Sequence, residues 1–326
     1  MAALTDTGAP ALQELRFIRV PDLNALLDEE VAEWRDSLDW DFRASADLVR
    51  RFVGMRALTG HALMRGQELI GYSYFVGEES KGLVGDLYVR RQFRCPEYED
   101  QLLHAALQSM ASMPRLNRIE AQLMLLGSSL VRPVPRPEHL RRYQRNFMSI
   151  SSAAIDALQP GRLDGEFHLE QWSHRVQEQA ASLIAAAYSG HIDSEINDQY
   201  RSVAGARRFL LNIVQYPGCG SFFPPGSFLA VRTATGEVTG LVLSSLVAPM
   251  VGHITQICVL PEVRHRGIGY ELLRRSLEGL AQLGCRKVSL TVTDRNREAS
   301  GLYERLGFVT ERKFAAYVWE GFRSER

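Results

Sequence analysis

Residues Ile257–Leu273 read ICVLPEVRHRGIGYELL, and the rest of the chain is understood outward from them. Ile257-Cys258-Val259-Leu260 is a short apolar run of the kind that forms a buried strand. Pro261 ends it, since proline cannot donate to a sheet ladder. Arg264-His265-Arg266-Gly267-Ile268-Gly269 follows, then a helical spacing of leucines at 272, 273, 277 and 280. Two glycines therefore stand where a strand hands over to a helix. Glycine tolerates positive φ and lets a ligand approach the backbone closely. The amides of such a turn, with the free N–H groups of the helix start, form a nest for phosphate oxygens. Arg264 and Arg266 add positive charge. No Gly-Lys-Ser/Thr follows the turn and no third glycine completes a dinucleotide fingerprint, so the longer nucleotide loops do not fit. An ordinary strand-to-helix turn remains the alternative.

The spacing Arg264-x-x-Gly267-x-Gly269 resembles the acyl-CoA pyrophosphate loop of the GNAT acetyltransferase superfamily. A second stretch, Asn296-Arg-Glu-Ala299-Ser-Gly-Leu302-Tyr303-Glu-Arg-Leu306-Gly307-Phe308, is similar to the later helix of that family, which lies beside the pantetheine arm. The two occur in the family's order with a strand between them. The resemblance covers about residues 166–326. It implies an α/β fold (an α+β mixed sheet) with a central mixed β-sheet flanked by helices. It also implies acetyl-CoA as the acyl-donor cosubstrate, with no metal.

The 326 residues favour two domains over one. Lys and Arg number 38, as do Asp and Glu, so the formal charge is zero. That balance argues against nucleic acid as a partner, which calls for a strongly basic face. Cys95, Cys219, Cys258 and Cys285 form no Cys-x-x-Cys pair. No run reaches the roughly eighteen apolar residues that span a bilayer, and the first residues do not resemble a secretory leader. A cytoplasmic protein with no membrane partner is expected; the oligomeric state is not readable.

The same order of elements occurs twice. Leu15–Val20 reads as a strand, Pro21–Trp34 as a helix, 61–65 and 69–76 as a hairpin, 83–89 as a strand, 98–110 as a helix and 119–125 as a strand. Glu138–Arg145 reads as a short helix and Phe147–Ile155 as extended chain. After the turn-rich Gln159–Gly165 the series restarts with a strand at 167–172. Shifting the chain by 170 residues lays Leu87–Leu103 on Ile257–Leu273, with Arg94 on Arg264 and Leu102-Leu103 on Leu272-Leu273. Gly267 and Gly269 then face Glu97 and Glu99, and Arg266 faces Pro96. Tyr143–Phe147 echoes Tyr303–Phe308 without its glycine. The expectation is a tandem: residues 1–158 a degenerate GNAT-like domain that binds no CoA, 159–165 a linker, and 166–326 the catalytic domain.

In that domain the resemblance assigns the donor to the chain at Cys258, Val259 and Leu260. It assigns the pyrophosphate to the loop Arg264, His265, Arg266, Gly267, Ile268, Gly269 and Tyr270. Asn296 would bind the pantetheine or the phosphate side, or else cap the next helix. Tyr303 stands where the family places a tyrosine near the CoA sulfur; a phenol there can protonate a departing thiolate, and a packing tyrosine is the alternative. Many relatives carry a glutamate eleven residues before the first loop position, which here is His253. Its neutral imidazole suits it to accept a proton, and a half-buried structural histidine is the alternative. The polar stretch between the first two helices offers His191, Asp193, Glu195, Asp198 and Tyr200 as acceptor contacts. One histidine and two acids make a weak metal set, and a solvated loop is equally compatible. The expected activity is transfer of an acetyl group to a primary amine of a small molecule or peptide. A non-catalytic acyl-CoA-binding regulatory or structural protein is the alternative.

Overall fold

The computed structural model describes residues 9–163, 165–216 and 218–322. In chain order the elements are β1 (Ala11–Glu14), α1 (Val20–Leu38), α2 (Arg43–Gly54), β2 (Gly60–Arg65), β3 (Glu68–Glu78), β4 (Lys81–Val89), α3 (Pro96–Ser112) and β5 (Arg118–Gln122). Then come β6 (Leu140–Ser151), α4 (Ser152–Asp156), β7 (Phe167–Gln171), α5 (Gln177–Ala187), α6 (Ile192–Ile196), α7 (Val203–Gln215), β8 (Ser221–Phe222) and β9 (Phe228–Arg232). The series closes with β10 (Val238–Ala248), β11 (Val251–Val259), α8 (Ile268–Gln282), β12 (Lys287–Thr293), α9 (Arg297–Leu306) and β13 (Val309–Glu320).

The chain forms two compact units whose borders differ from the expected 159–165 linker. One holds the described residues up to Gln144 and takes up the chain again at Phe314; the other is Arg145–Lys313. In the first, the strand order is β1-β2-β3-β4-β5-β13, with Ala316–Glu320 antiparallel to Arg118–Gln122. In the second it is β6-β12-β11-β10-β9-β7, with β8 beside β10 and Arg145–Ser151 antiparallel to Lys287–Thr293. Each half of the sequence thus gives its last strand to the other unit. Gly161 instead belongs to the second unit, where its amide donates to Glu271 Oε2 at 2.8 Å.

Two local expectations change. Leu15–Phe17 is a 3₁₀ turn, and the edge strand lies just before it at Ala11–Glu14, all four residues exposed, so no alternation marks it. Leu140–Arg145 is strand, not helix. Leu140, Tyr143 and Phe147 imitate a helical period, yet the segment is the start of a twelve-residue strand that pairs with β12 from Arg145 onward.

The repeat survives in the geometry. β4 and β5 pair in parallel only from Lys81↔Arg118 to Val84↔Ala121, and β11 and β12 only from Val251↔Lys287 to Ile254↔Leu290. Each pairing stops at a bulge on the longer strand, which leaves Gly85 without a partner across from β3 and Thr255 without one across from β10. A bulge breaks the ladder and increases the local twist, so the two parallel strands part beyond it. The helix after each opening packs by equivalent contacts. A Cβ on Gly252 would stand 2.8 Å from Leu280, and one on Gly82 2.5 Å from Met110. The leucines of α8 (272, 273, 277, 280) are fully buried, and each stabilises the unit by roughly 2 kcal/mol.

Candidate active site

The site is built where β11 leaves β12. The Leu260 amide donates to Thr239 O on the β10 side. Strand alternation therefore turns the peptide groups of Val259 and Ile257 toward the opened edge. Ile257 O faces away from β10 accordingly and accepts the Tyr188 hydroxyl at 3.2 Å. The sequence expectation named Cys258, Val259 and Leu260; of these, Val259 presents its backbone to the opening, while Cys258 and Leu260 face β10. The Cys258 side chain is buried, and burial pushes its thiol up to about 12, which keeps it from acting as a nucleophile at neutral pH.

The loop that follows curls through two left-handed residues, His265 at φ 63° and Gly267 at φ 80°. Gly267 is the N-cap of α8 and carries no capping side chain. The first helical amides, from Ile268 on, therefore have no intrahelical acceptor and point outward. A Cβ at Gly269 would fill the space between Val259 and Leu302, 3.8 Å from each. The arginines do other work. Arg264 donates from Nε to Val259 O at 3.3 Å and from Nη2 to Ala187 O at 3.1 Å. Arg266 donates to Glu166 Oε2 at 2.6 Å and lies 4.6 Å above the Phe167 ring. The anion-binding capacity of this turn thus resides in its backbone and helix dipole. His265 is exposed, 3.4 Å from Glu298. The Tyr270 hydroxyl donates to Gln159 O at 2.7 Å.

Beyond the loop, Asn296 caps α9: its Oδ1 accepts the Ala299 amide at 3.2 Å. Tyr303 on that helix is 6 % exposed, and among the described residues its hydroxyl makes no hydrogen bond. Burial, then the nearby Asp193 carboxylate, raises its pKa above the ordinary phenol value. His253 is buried, with Nδ1 2.9 Å from Ser289 Oγ and its ring stacked on Phe147 at 6.4 Å. Burial pushes it down to about 4. It lies within the still-paired part of β11 and β12, before the opening, which favours the structural histidine over the base.

The stretch between α5 and α7 is ordered, not a solvated loop. His191 caps α6, its Nδ1 accepting the Asp193 amide at 3.1 Å. That nitrogen is thereby unprotonated and the ring presents Nε2–H. Asp193 Oδ1 accepts Arg145 Nη1 at 2.9 Å and the Thr293 hydroxyl. Tyr200 stacks on Tyr188 at 4.5 Å and donates to Gln256 Oε1 at 3.3 Å, while Gln256 Nε2 donates to the Tyr188 hydroxyl at 2.8 Å. Glu195 and Asp198 are half-buried on α6 and the turn after it. Sequence reasoning missed Arg145, Gln256 and Thr293. Gln256, a buried polar residue inside an apolar strand, carried a signal; Arg145, from the other half of the sequence, carried none. Among the described residues no three His, Cys, Asp or Glu side chains gather as metal ligands, and no helix is long and apolar enough to cross a membrane.

Residues 194–308 match the model of the acetyltransferase (GNAT) family. That match covers about a third of the chain, and over it the chain is similar to the GNAT family. Over 75 residues it is 33 % identical to N-alpha-acetyltransferase MAK3 of Arabidopsis thaliana, covering 23 % of this chain and 40 % of that protein. Over 103 residues it is 35 % identical to mycothiol acetyltransferase of Acidimicrobium ferrooxidans, 30 % of this chain and 33 % of that one. The matched segments thus span two fifths or less of those curated relatives. Among solved structures, a GCN5-related N-acetyltransferase from Sphaerobacter thermophilus superposes with a TM-score of 0.65 at 19 % identity, covering 95 % of both chains. A tandem GNAT protein from the clavulanic acid biosynthesis pathway superposes with a TM-score of 0.58 at 16 % identity, covering 97 % of this chain and 100 % of the other. These structural likenesses fix the fold: the GNAT fold in tandem.

Proposed function

We propose that the second unit is an acetyl-CoA-dependent N-acetyltransferase and that the first unit binds no CoA. One observation carries this: β11 leaves β12 after Ile254 and runs, with its edge open, directly into the Gly267-capped start of α8. That edge suits an amide-bearing arm, and the helix start beyond it suits a diphosphate. Relatives named N-alpha-acetyltransferase and mycothiol acetyltransferase support acetyl transfer, and their names differ in the rest; the acceptor proposed here is a primary amine of a small molecule or peptide.

Acetyl-CoA supplies an acetyl group activated as a thioester. The amides of Gly267–Tyr270 hold its pyrophosphate, and the peptide groups of Ile257 and Val259 hold the arm. Tyr303, whose hydroxyl makes no hydrogen bond among the described residues, gives its proton to the departing thiolate. His253 is already neutral at physiological pH, is bonded to Ser289 and acts as a strand-packing residue. The amine proton leaves through solvent on the side of α6. The test is thiol release from acetyl-CoA with amines, polyamines, aminoglycosides, amino acids and peptides as acceptors. Amine-dependent release is expected. CoA binding without release on any acceptor would instead favour a non-catalytic CoA-binding protein.

A further inference from the structure

We infer that Arg145 is a positioning residue for the proton donor of this transfer: its guanidinium holds Asp193 and cancels that carboxylate's charge beside the Tyr303 hydroxyl. The inference rests on the acetyltransferase reading above and adds a residue to it. Arg145 is the first residue of the second unit, and it pairs in register with Thr293, the last residue of β12. Its Nη1 lies 2.7 Å from Thr293 Oγ1 and 2.9 Å from Asp193 Oδ1, and Thr293 in turn donates to the same carboxylate oxygen. The Arg145 and Asp193 side chains are each 14 % exposed. A carboxylate so enclosed interacts strongly with its neighbours unless a cation offsets it.

The groups near enough to act electrostatically on Tyr303 come from four elements: Asp193 on α6, Arg145 on β6, Cys258 on β11 and Tyr188 at the end of α5. Asp193 makes the phenol a weaker acid and Arg145 makes it a stronger one. In the reaction the amine nitrogen bonds to the thioester carbon and the carbon–sulfur bond breaks. The thiolate takes the Tyr303 proton, the amine gives one proton to solvent, and solvent restores the phenol. The phenolate formed in passing is opposed by a bare carboxylate and tolerated beside a neutral pair. Arg145 reaches this place because the sequence's first half lends β6 to the second unit.

The test is a double-mutant cycle with the best acceptor of the panel. Arg145→Met should lower kcat by about tenfold or more with the acetyl-CoA KM unchanged, and Arg145→Lys should keep most of the rate. Arg145→Met combined with Asp193→Asn should recover most of the loss, because the pair is again neutral. A double variant as slow as Arg145→Met, or slower, would make Arg145 a mere packing residue and overturn the inference. Should no acceptor turn over, the acetyltransferase reading fails by itself. The electrostatic claim is then decided by NMR of labelled tyrosine in Asp193→Asn. Tyr303, identified by its loss in Tyr303→Phe, should begin to ionise at lower pH than in the parent, and no shift overturns the claim.

Discussion

The starts of α3 and α8 are the same structural position filled in two ways. Both follow a strand that has parted from its parallel neighbour, and in both an arginine ties back the strand end: Arg94 Nε to Val89 O at 3.2 Å, Arg264 Nε to Val259 O at 3.3 Å. At α8 the cap is a glycine and the amides point outward. At α3 the first helical residue is Pro96, which has no amide to offer. Its first turn carries Glu99, buried and paired with Arg132, which also reaches Asp100 at 2.6 Å and Pro96 O at 2.9 Å. The chain before it is equally occupied. The Arg91 amide donates to Glu29 at 2.6 Å, and Glu33 binds Arg94 at 2.6 and 2.8 Å. Burial alone would raise the Glu33 carboxyl, but hydrogen bonds from Arg94, the Arg91 side chain and the Tyr88 hydroxyl bring it down to about 2. The opening itself is filled: the Tyr74 ring covers Gly85, and Tyr72 donates to Glu30 at 2.9 Å. Burial, then Asp86, raises Glu30 well above the carboxylate range. The first unit supplies from its own side chains the groups that a ligand would supply to the second. A fold keeps its packing contacts when a site is lost, because those contacts hold the sheet and helix together independently of any ligand.

The exchange of last strands gives the largest expected effect. Trp319 is fully buried in the first unit, its Nε1 donating to Pro135 O at 2.9 Å. Trp319→Ala should cost ~3–5 kcal/mol. Hydrogen exchange should show the loss of protection in β4 and β5, although Trp319 lies at the far end of the sequence. Loss confined to β10–β12 would mean that the exchange does not govern stability.

Tyr303 sharpens the comparison at the chemical step. Tyr303→Phe removes one hydroxyl and should reduce kcat by about ten- to a hundredfold, with acetyl-CoA affinity kept. A normal kcat would make it a packing residue.

The loop, its glycines and the helix behind it were legible because the signal is local: a proline, two glycines and a leucine spacing between Pro261 and Leu280. The repeat was legible as a shift of 170 residues, and it returned as paired bulges at Gly85 and Thr255. The unit borders were not legible, since β6 and β13 pair with strands from the other half and no neighbouring residue records that. The same long-range pairing hid Arg145. Arg264 and Arg266 also bond protein groups, Val259 O and Ala187 O for the first and Glu166 for the second, which spacing cannot reveal.

His253 gives the smallest effect. With its folded pKa near 4 and an unfolded value near 6.5, the unfolded chain binds more protons between those limits. Stability therefore falls as pH drops from about 6.5 toward 4, by a few kcal/mol in all, and is unaffected above. His253→Gln should flatten that slope in urea titrations across the window, and the pH profile of kcat/KM above pH 6 should keep its shape. A rate limb that vanishes in the variant would restore His253 as the base.

The contrast between a filled cradle and an open one is tested most directly by calorimetric titration of the intact chain with CoA. One site per chain is expected. It should vanish in Gly267→Glu, which sets a carboxylate at the open helix start and costs roughly 1–2 kcal/mol of backbone strain at a left-handed position. Two sites per chain, or a single site that survives Gly267→Glu, would contradict the account.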